Sequence, residues 1–504
     1  MPLWVRLVRD SIAKSQEMVW TMKATRSVNP RQLGSLLGDW RARAPGPTYA
    51  RLAAAITQLV LDGRLPLHCR LPSERDLAAA LGLSRTTVTA GYDALRETGY
   101  LVSQRGSGSW TALPAVHRSA VPTWATAPVG GPPAELLDLA SAAPGAPALA
   151  VATAAREALD DLGGHLDQDG YDPVGLAALR GRIADRYGRR GLPTTPDQVL
   201  ITSGALHGLD LVLRLLIGPG DRVLTDSPTY PTVLDAIRAT RARLVPVGLT
   251  AAGWNVDLLT TSLRQAAPRL GYLIADYHNP TGHVMTEAAR VAVVEAAVRT
   301  ETFLVVDESF VELGYSGTPL PAPAACHDRA GRVLLVGSLS KPFWGGLRIG
   351  WVRAPADLIR RLAVVRAATD MASPVLEQLI GARLLDLADE VLPARRRQFA
   401  RQRDVLAAAL HRELPEWRFD VPAGGLALWV ELDAPVSTAL TVVAGQHGIR
   451  LAAGPRFGPD GTLERYLRLP FTQPADLLDG AAARLATARA QVDGTPAGAP
   501  LVVA

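Results

Sequence analysis

Five short runs between Gln198 and Lys341, QVLITSG, DRVLTDSP, GYLIADYHNP, TFLVVDES and RVLLVGSLSK, are apolar almost without alternation. A strand that faces water on one side alternates polar and apolar residues, whereas a strand covered on both faces does not. Between these runs the apolar residues fall at helical spacing. The succession predicts a mostly parallel sheet covered by helices, an α/β domain beginning near Leu136. After Pro355 it passes into long helices, among them VLPARRRQFARQRDVLAAALHREL, and then into a smaller α+β piece with GGLALWVEL and RYLRLPF.

The 504 residues exceed one ordinary core, so a second domain is expected. Residues 47–113 read as three helices and a hairpin. TYARLAAAITQLVLDG stops at Gly63, PSERDLAAALG runs from a Pro-Ser start to Gly82, and RTTVTAGYDALRETG follows Ser84, whose hydroxyl suits an N-cap. YLVSQRGSGSWTAL then alternates as two short strands about a Gly-Ser-Gly turn. Residues 1–46 form a basic N-terminal extension without strong periodicity, with Met18 and Met22 as alternative starts to Met1. Residues 114–135 are a Pro/Ala/Gly-rich linker, residues 136–492 the α/β domain with its C-terminal α+β subdomain, and residues 493–504 a disordered tail.

Charge separates the two halves. Residues 1–113 carry a net +7 and residues 114–504 a net −2, so only the front is built for a polyanion. Cys69 and Cys326 are the only cysteines, without disulfide or metal-ligand spacing. No apolar run reaches the ~18 residues that span a bilayer, and Arg6, Arg9 and Asp10 interrupt the one candidate signal region. A cytoplasmic protein is expected.

Helix, tight glycine turn, helix and wing make a winged helix-turn-helix, whose third helix enters the DNA major groove. Arg85 at its start suits a bidentate bond to guanine, and Thr86, Thr87 and Thr89 suit phosphate or a thymine methyl. Arg70, Arg75 and the wing's Arg105 are expected along the backbone.

In the α/β half the informative residue is a lysine. The chain has 50 arginines and only 3 lysines, Lys14, Lys23 and Lys341. Arginine stays protonated, whereas a desolvated lysine loses its proton and condenses with an aldehyde as a Schiff base. Lys341 follows a buried strand, with Ser338 and Ser340 before it and Arg348 beyond WGG. Ser203, Gly204 and Ala205 end another strand and open a helix, where hydroxyl and amides face an anion. These two groups make the halves of a phosphate cup. Asp307 suits a pyridine nitrogen, Asn279 a phenolate oxygen and Tyr230 the face of a ring. Pyridoxal 5′-phosphate (PLP) has all of these features.

GRLPLHCRLPSERDLAAALGLSRTTVTAGYDALRETGYLVSQRGSGSW resembles the DNA-binding domain of the GntR family of bacterial transcription regulators. The resemblance implies that Arg75, Ser84, Arg85, Thr86, Thr87 and the wing from Arg105 to Gly108 face double-stranded DNA. TSGA, SPTYP, HNPTG, VVDES and SLSKPFWGGLRIGW, in this order, resemble the fold-type I, class I aminotransferases. That resemblance implies Lys341 as the Schiff-base lysine, Asp307 at the ring nitrogen, and Ser203, Gly204, Ala205, Ser338 and Arg348 at the phosphate. It also implies that Tyr171 reaches the phosphate of a neighbouring subunit, hence a homodimer, and that Arg468 holds an amino-acid carboxylate. One position departs from the family pattern: Phe310 stands where a tyrosine usually bonds the ring oxygen. A GntR-like reader joined to an aminotransferase-like domain resembles the MocR-type regulators. The expected function is DNA-binding transcription regulation, with PLP or an amino compound sensed through Lys341. The alternatives are an active aminotransferase with an accessory DNA-binding domain, and a large domain that dimerises without cofactor.

Overall fold

A computed structural model describes residues 27–42, 46–104, 108–114, 136–317 and 319–493. Most of the linker, the tail beyond 493, and Arg105 with the tip of the wing lie outside the described residues. The chain forms two compact units, the first ending at Pro114 and the second starting at Ala115, with Leu61–Arg64 grouped with the second. No described helix is long and apolar enough to cross a membrane.

In the N-terminal unit, helix Thr48–Leu61 buries Leu52, Ile56, Leu59 and Val60 on one face. Helix Glu74–Leu81 starts at Ser73, whose hydroxyl accepts from the Asp76 amide at 3.2 Å, and stops at Gly82 in the left-handed region (φ 63°). Helix Arg85–Glu97 starts at Ser84 as expected and buries Val88, Tyr92 and Leu95. The Tyr92 hydroxyl donates to the Pro72 carbonyl at 3.0 Å, tying this helix to the turn before Glu74. Strands β1 (Leu101–Gln104) and β2 (Gly108–Thr111) pair antiparallel as the wing.

The basic extension holds more structure than its weak periodicity implies. Asn29 and Gln32 form a capping box, with bonds of 2.8 and 3.1 Å, and helix Pro30–Leu37 follows. It buries Leu33, Leu36 and Leu37 against helix Glu74–Leu81, the contact running past Gly34 to Leu81. Eight residues with a central glycine are too few for a period to stand out in sequence. Trp40 behind it is also buried.

The second unit holds β3 (Leu137–Leu139), β4 (Val199–Thr202), β5 (Arg222–Ser227), β6 (Arg243–Thr250), β7 (Gly253–Trp254), β8 (Leu270–Leu273), β9 (Phe303–Asp307), β10 (Val333–Ser338), β11 (Gly350–Arg353), β12 (Ala427–Glu431), β13 (Ile449–Ala453) and β14 (Tyr466–Pro470). An eight-stranded sheet has the order β4-β11-β10-β9-β8-β5-β6-β7. The links from β10 through β9, β8 and β5 to β6 are parallel, as the unbroken apolar runs require. β11 is antiparallel to both β10 and β4, so β4 runs in the common direction. The carboxyl ends of β4, β5, β8, β9 and β10 therefore lie on one edge, the place where open α/β sheets bind ligands. A second sheet, β12-β14-β13-β3, forms the core of the smaller subdomain.

Leu33 is fully buried, and Leu33→Ala is expected to destabilise the N-terminal unit by about 2–5 kcal/mol. Calorimetry of the full chain measures this as an earlier first transition. An unchanged thermogram would show that the helix is not part of that fold.

Candidate functional site

The common edge of the sheet collects the residues read from sequence. Ser203 and Gly204 follow β4, and Gly204 (φ 93°) caps helix Ala205–Leu216. Arg348, at φ 51°, turns back from the start of β11 and donates from Nη2 to the Ser203 carbonyl at 2.6 Å. A Cβ on Gly204 would stand 2.9 Å from that nitrogen, and one on Gly350 would stand 2.4 Å from the Gly204 carbonyl carbon. Glycine is required here because the two chain segments approach so closely. Ser338 ends β10, its hydroxyl 2.8 Å from that of Ser340, and Ser338 also accepts from the Ser340 amide. Hydroxyls, a guanidinium and a helix start are thus in place for a phosphate. The Ser203 amide, however, donates to His207 Nδ1 at 3.0 Å.

Lys341 comes three residues after Ser338. Its ammonium donates to the Ala142 carbonyl at 2.7 Å and lies 5.8 Å from the centre of the Phe310 ring. Burial pushes its pKa down to about 8, the Arg468 charge pushes the same way, and Asp307 opposes both. The nitrogen is therefore partly neutral near physiological pH, which imine chemistry needs.

Asp307 closes β9 and is buried. Both of its oxygens already have donors: the Tyr272 hydroxyl to Oδ2 at 2.7 Å and the Ser309 amide to Oδ1 at 2.8 Å. Tyr272 was missed in sequence, where it reads as one more apolar strand residue. It lies opposite Val305, so Asp307 two residues on shares its face. Fully buried beside a carboxylate, its phenol is held protonated, well above its usual pKa.

Asn279 Oδ1 accepts from Arg468 Nη1 at 3.2 Å. Arg468, on β14 and only 6% exposed, also donates from Nη2 to the Ala140 carbonyl, and its guanidinium lies over the Phe457 ring at 4.8 Å. Its Nε has no partner among the described residues. Burial lowers its pKa to about 10. A buried guanidinium with a spare donor fits an anionic ligand. Tyr230 caps helix Pro231–Ala239 at the end of the loop after β5. Asn279, Phe310, Ala142 and Gly424–Ala427 line one small cavity. Tyr171 does not join this group: it is 62% exposed, and its side chain makes no hydrogen bond among the described residues.

In the N-terminal unit, Ser84, Thr86 and Thr87 form one hydroxyl cluster: Ser84 Oγ lies 2.8 Å from Thr86 Oγ1 and 2.7 Å from Thr87 Oγ1, and accepts from the Thr87 amide at 3.1 Å. The Ser84 hydroxyl caps the helix, and Ser84 and Thr86 are exposed. Arg85 and Arg75 are exposed and have no acidic partner among the described residues. Arg70 is exposed and lies against the wing, where a Cβ on Gly108 would come 2.7 Å from its Nε. Thr89 is half-buried on the same helix as Arg85. Arg105 is not among the described residues.

The donor set fits PLP: a desolvated lysine, a phosphate cup closed by glycines, a buried carboxylate and a spare guanidinium. The aminotransferase class I and II family matches residues 134–485, and the bacterial regulatory proteins of the gntR family match residues 48–110. An uncharacterized HTH-type transcriptional regulator, YisV of Bacillus subtilis, is 27% identical over 90% of this chain and 99% of that protein. The probable rhizopine catabolism regulatory protein MocR of Rhizobium meliloti is 29% identical over 74% of this chain and 78% of that protein. Among solved structures, the α-aminoadipate aminotransferase LysN of Thermus thermophilus, complexed with N-(5′-phosphopyridoxyl)-L-leucine, superposes with a TM-score of 0.67. It is 27% identical, over 75% of this chain and 97% of that one. The large domain is a PLP-binding domain of fold-type I, and the front domain binds DNA. The chain belongs to the class I and II aminotransferase family and, with its gntR-family domain in front, to the MocR-type subfamily of GntR transcription regulators.

Proposed function

We propose that this regulator senses its cofactor, or an amino compound that reacts with it, through Lys341, and answers by changing how it holds DNA. The observation that carries the reading is the half-buried Lys341, bonded to the Ala142 carbonyl, with its pKa lowered and the charges of Asp307 and Arg468 both acting on it, in a chain whose front domain reads DNA. PLP supplies an aldehyde that joins the lysine nitrogen and a ring that withdraws electrons. Ser203, Gly204, Ala205, Ser338, Ser340 and Arg348 hold its phosphate. Asp307, steadied by Tyr272, holds the ring nitrogen, Asn279 the ring oxygen, and Tyr230 the ring face. Arg468 takes the carboxylate of an amino compound, and the phenyl ring of Phe310 leaves the ring oxygen one donor short. That shortage favours sensing over rapid turnover.

The working form is a homodimer. Helix Ala148–Leu162 leaves Leu149 80% and Leu159 57% exposed, with Leu166 70% and Tyr171 62% exposed just beyond. We read this helix as the side that meets the second copy. Tyr171 then completes the phosphate cup of the neighbouring subunit. On the DNA side, Arg85 reads a base, Thr89 contacts its surroundings, and Arg70, Arg75, Arg105, Ser84, Thr86 and Thr87 fix the backbone.

Only the neutral amine reacts, so the rate of PLP attachment is expected to rise about tenfold per pH unit below pH 8 and level off above it. Stopped-flow visible absorbance measures this, and a rate flat from about pH 6 to 9 would contradict it. Arg85→Ala should weaken binding to a duplex selected by the full chain from a random library about tenfold, with PLP absorbance intact. Equal affinity would remove Arg85 from the reading. Rapid steady-state transamination over a panel of amino acids, without sequence-specific DNA retention, would overturn the regulatory function in favour of an enzyme.

A further inference from the structure

The residues that follow the linker run directly over the reactive groups of the site. β3 is anchored by parallel pairing with β13, Leu137 opposite Ile449 and Leu139 opposite Leu451. Asp138, between them, is ion-paired to Arg450, whose Nε donates to it at 3.1 Å. The same carboxylate accepts from the amides of Ala140 at 2.8 Å and Ser141 at 3.2 Å, so the chain turns as soon as the strand ends. The turn presents two carbonyls to the site. Ala140 O accepts from Arg468 Nη2, and Ala142 O accepts from Lys341 Nζ at 2.7 Å.

Both bonds use atoms that a ligand also needs. Nε and Nη2 form one edge of the Arg468 guanidinium, the edge that grips a carboxylate side-on. Ala140 occupies Nη2 while Nε stands buried without a partner among the described residues. A bound carboxylate satisfies Nε and takes Nη2 from Ala140. At Lys341 the ammonium first releases a proton to solvent. The neutral amine adds to the aldehyde carbon, and its two hydrogens leave with the aldehyde oxygen as one water. The nitrogen ends in a C=N bond, carrying at most one proton regained from solvent. Any proton it carries is fixed by the C=N bond and cannot rotate toward Ala142 as the ammonium's three could. A buried carbonyl deprived of its donor is unfavourable, so the turn shifts until water or another donor reaches it.

We propose that Asp138–Ala142 is a strap that reads the loading of Lys341 and Arg468, and that the affinity of the chain for DNA depends on its release. The strap rests on the proposed sensing function and specifies its regulation. One feature of its build supports this: its anchor, Asp138, is held by Arg450 on β13, apart from the cofactor's own ligands. Asp138 makes no hydrogen bond to those ligands among the described residues, although its charge is felt at Arg468.

Hydrogen–deuterium exchange of the full chain with and without PLP tests the strap, with visible absorbance read on the same sample. Amides of residues 140–146 are expected to exchange about fivefold faster with PLP attached, the factor set by losing one ordinary hydrogen bond. Absorbance without any change in exchange would overturn the strap and leave the cofactor site standing. No absorbance would overturn both. Asp138→Ala should keep the absorbance, while its affinity for the selected duplex no longer responds to PLP. Asp138→Asn, which keeps an acceptor for the two amides, should retain part of the response. A full wild-type response in Asp138→Ala would also overturn the strap.

Discussion

The site depends on keeping one amine out of water. Lys341 is half-buried, with a guanidinium nearby, and desolvation disfavours its charged form. Every other feature serves that condition or exploits it. The parallel sheet brings five strand ends to one edge, and the reversed β11 returns Arg348 to the same place. Glycines at 204 and 350 let β4 and β11 close the cup, since any side chain there would meet backbone or guanidinium. Asp307 supplies the opposing charge, and its geometry is fixed by Tyr272 and Ser309.

Much of this was legible in the residues. The unbroken apolar runs required strands covered on both faces, and β4, β5, β8, β9 and β10 are those strands. Ser73 and Ser84 marked helix starts because a hydroxyl before a helical period satisfies otherwise unpaired amides. What sequence could not show was pairing across elements. Tyr272 meets Asp307 because of the register between β8 and β9, which no local pattern encodes. Ala140 and Ala142 act through carbonyls, which carry no side-chain signature at all. Helix Pro30–Leu37 was too short to show a period, although Asn29 and Gln32 spell its cap.

Two departures bear on function. Phe310 brings a phenyl ring without a hydroxyl beside Lys341, and Arg468, the proposed carboxylate holder, is engaged by the chain's own backbone. An enzyme selected for turnover gains nothing from contacts that substrate must displace. A sensor does gain, because displacement is the message: a ligand shifts an equilibrium only through interactions that differ between two states.

The most direct measurement is binding of the full chain to its selected duplex, titrated with and without saturating PLP, for the wild type and for Lys341→Ala. The wild-type affinity is predicted to shift by at least about fivefold between the two conditions, while the Lys341→Ala curves coincide. Coincident wild-type curves, or an equal shift in the variant, would contradict the claim that Lys341 is where this regulator senses.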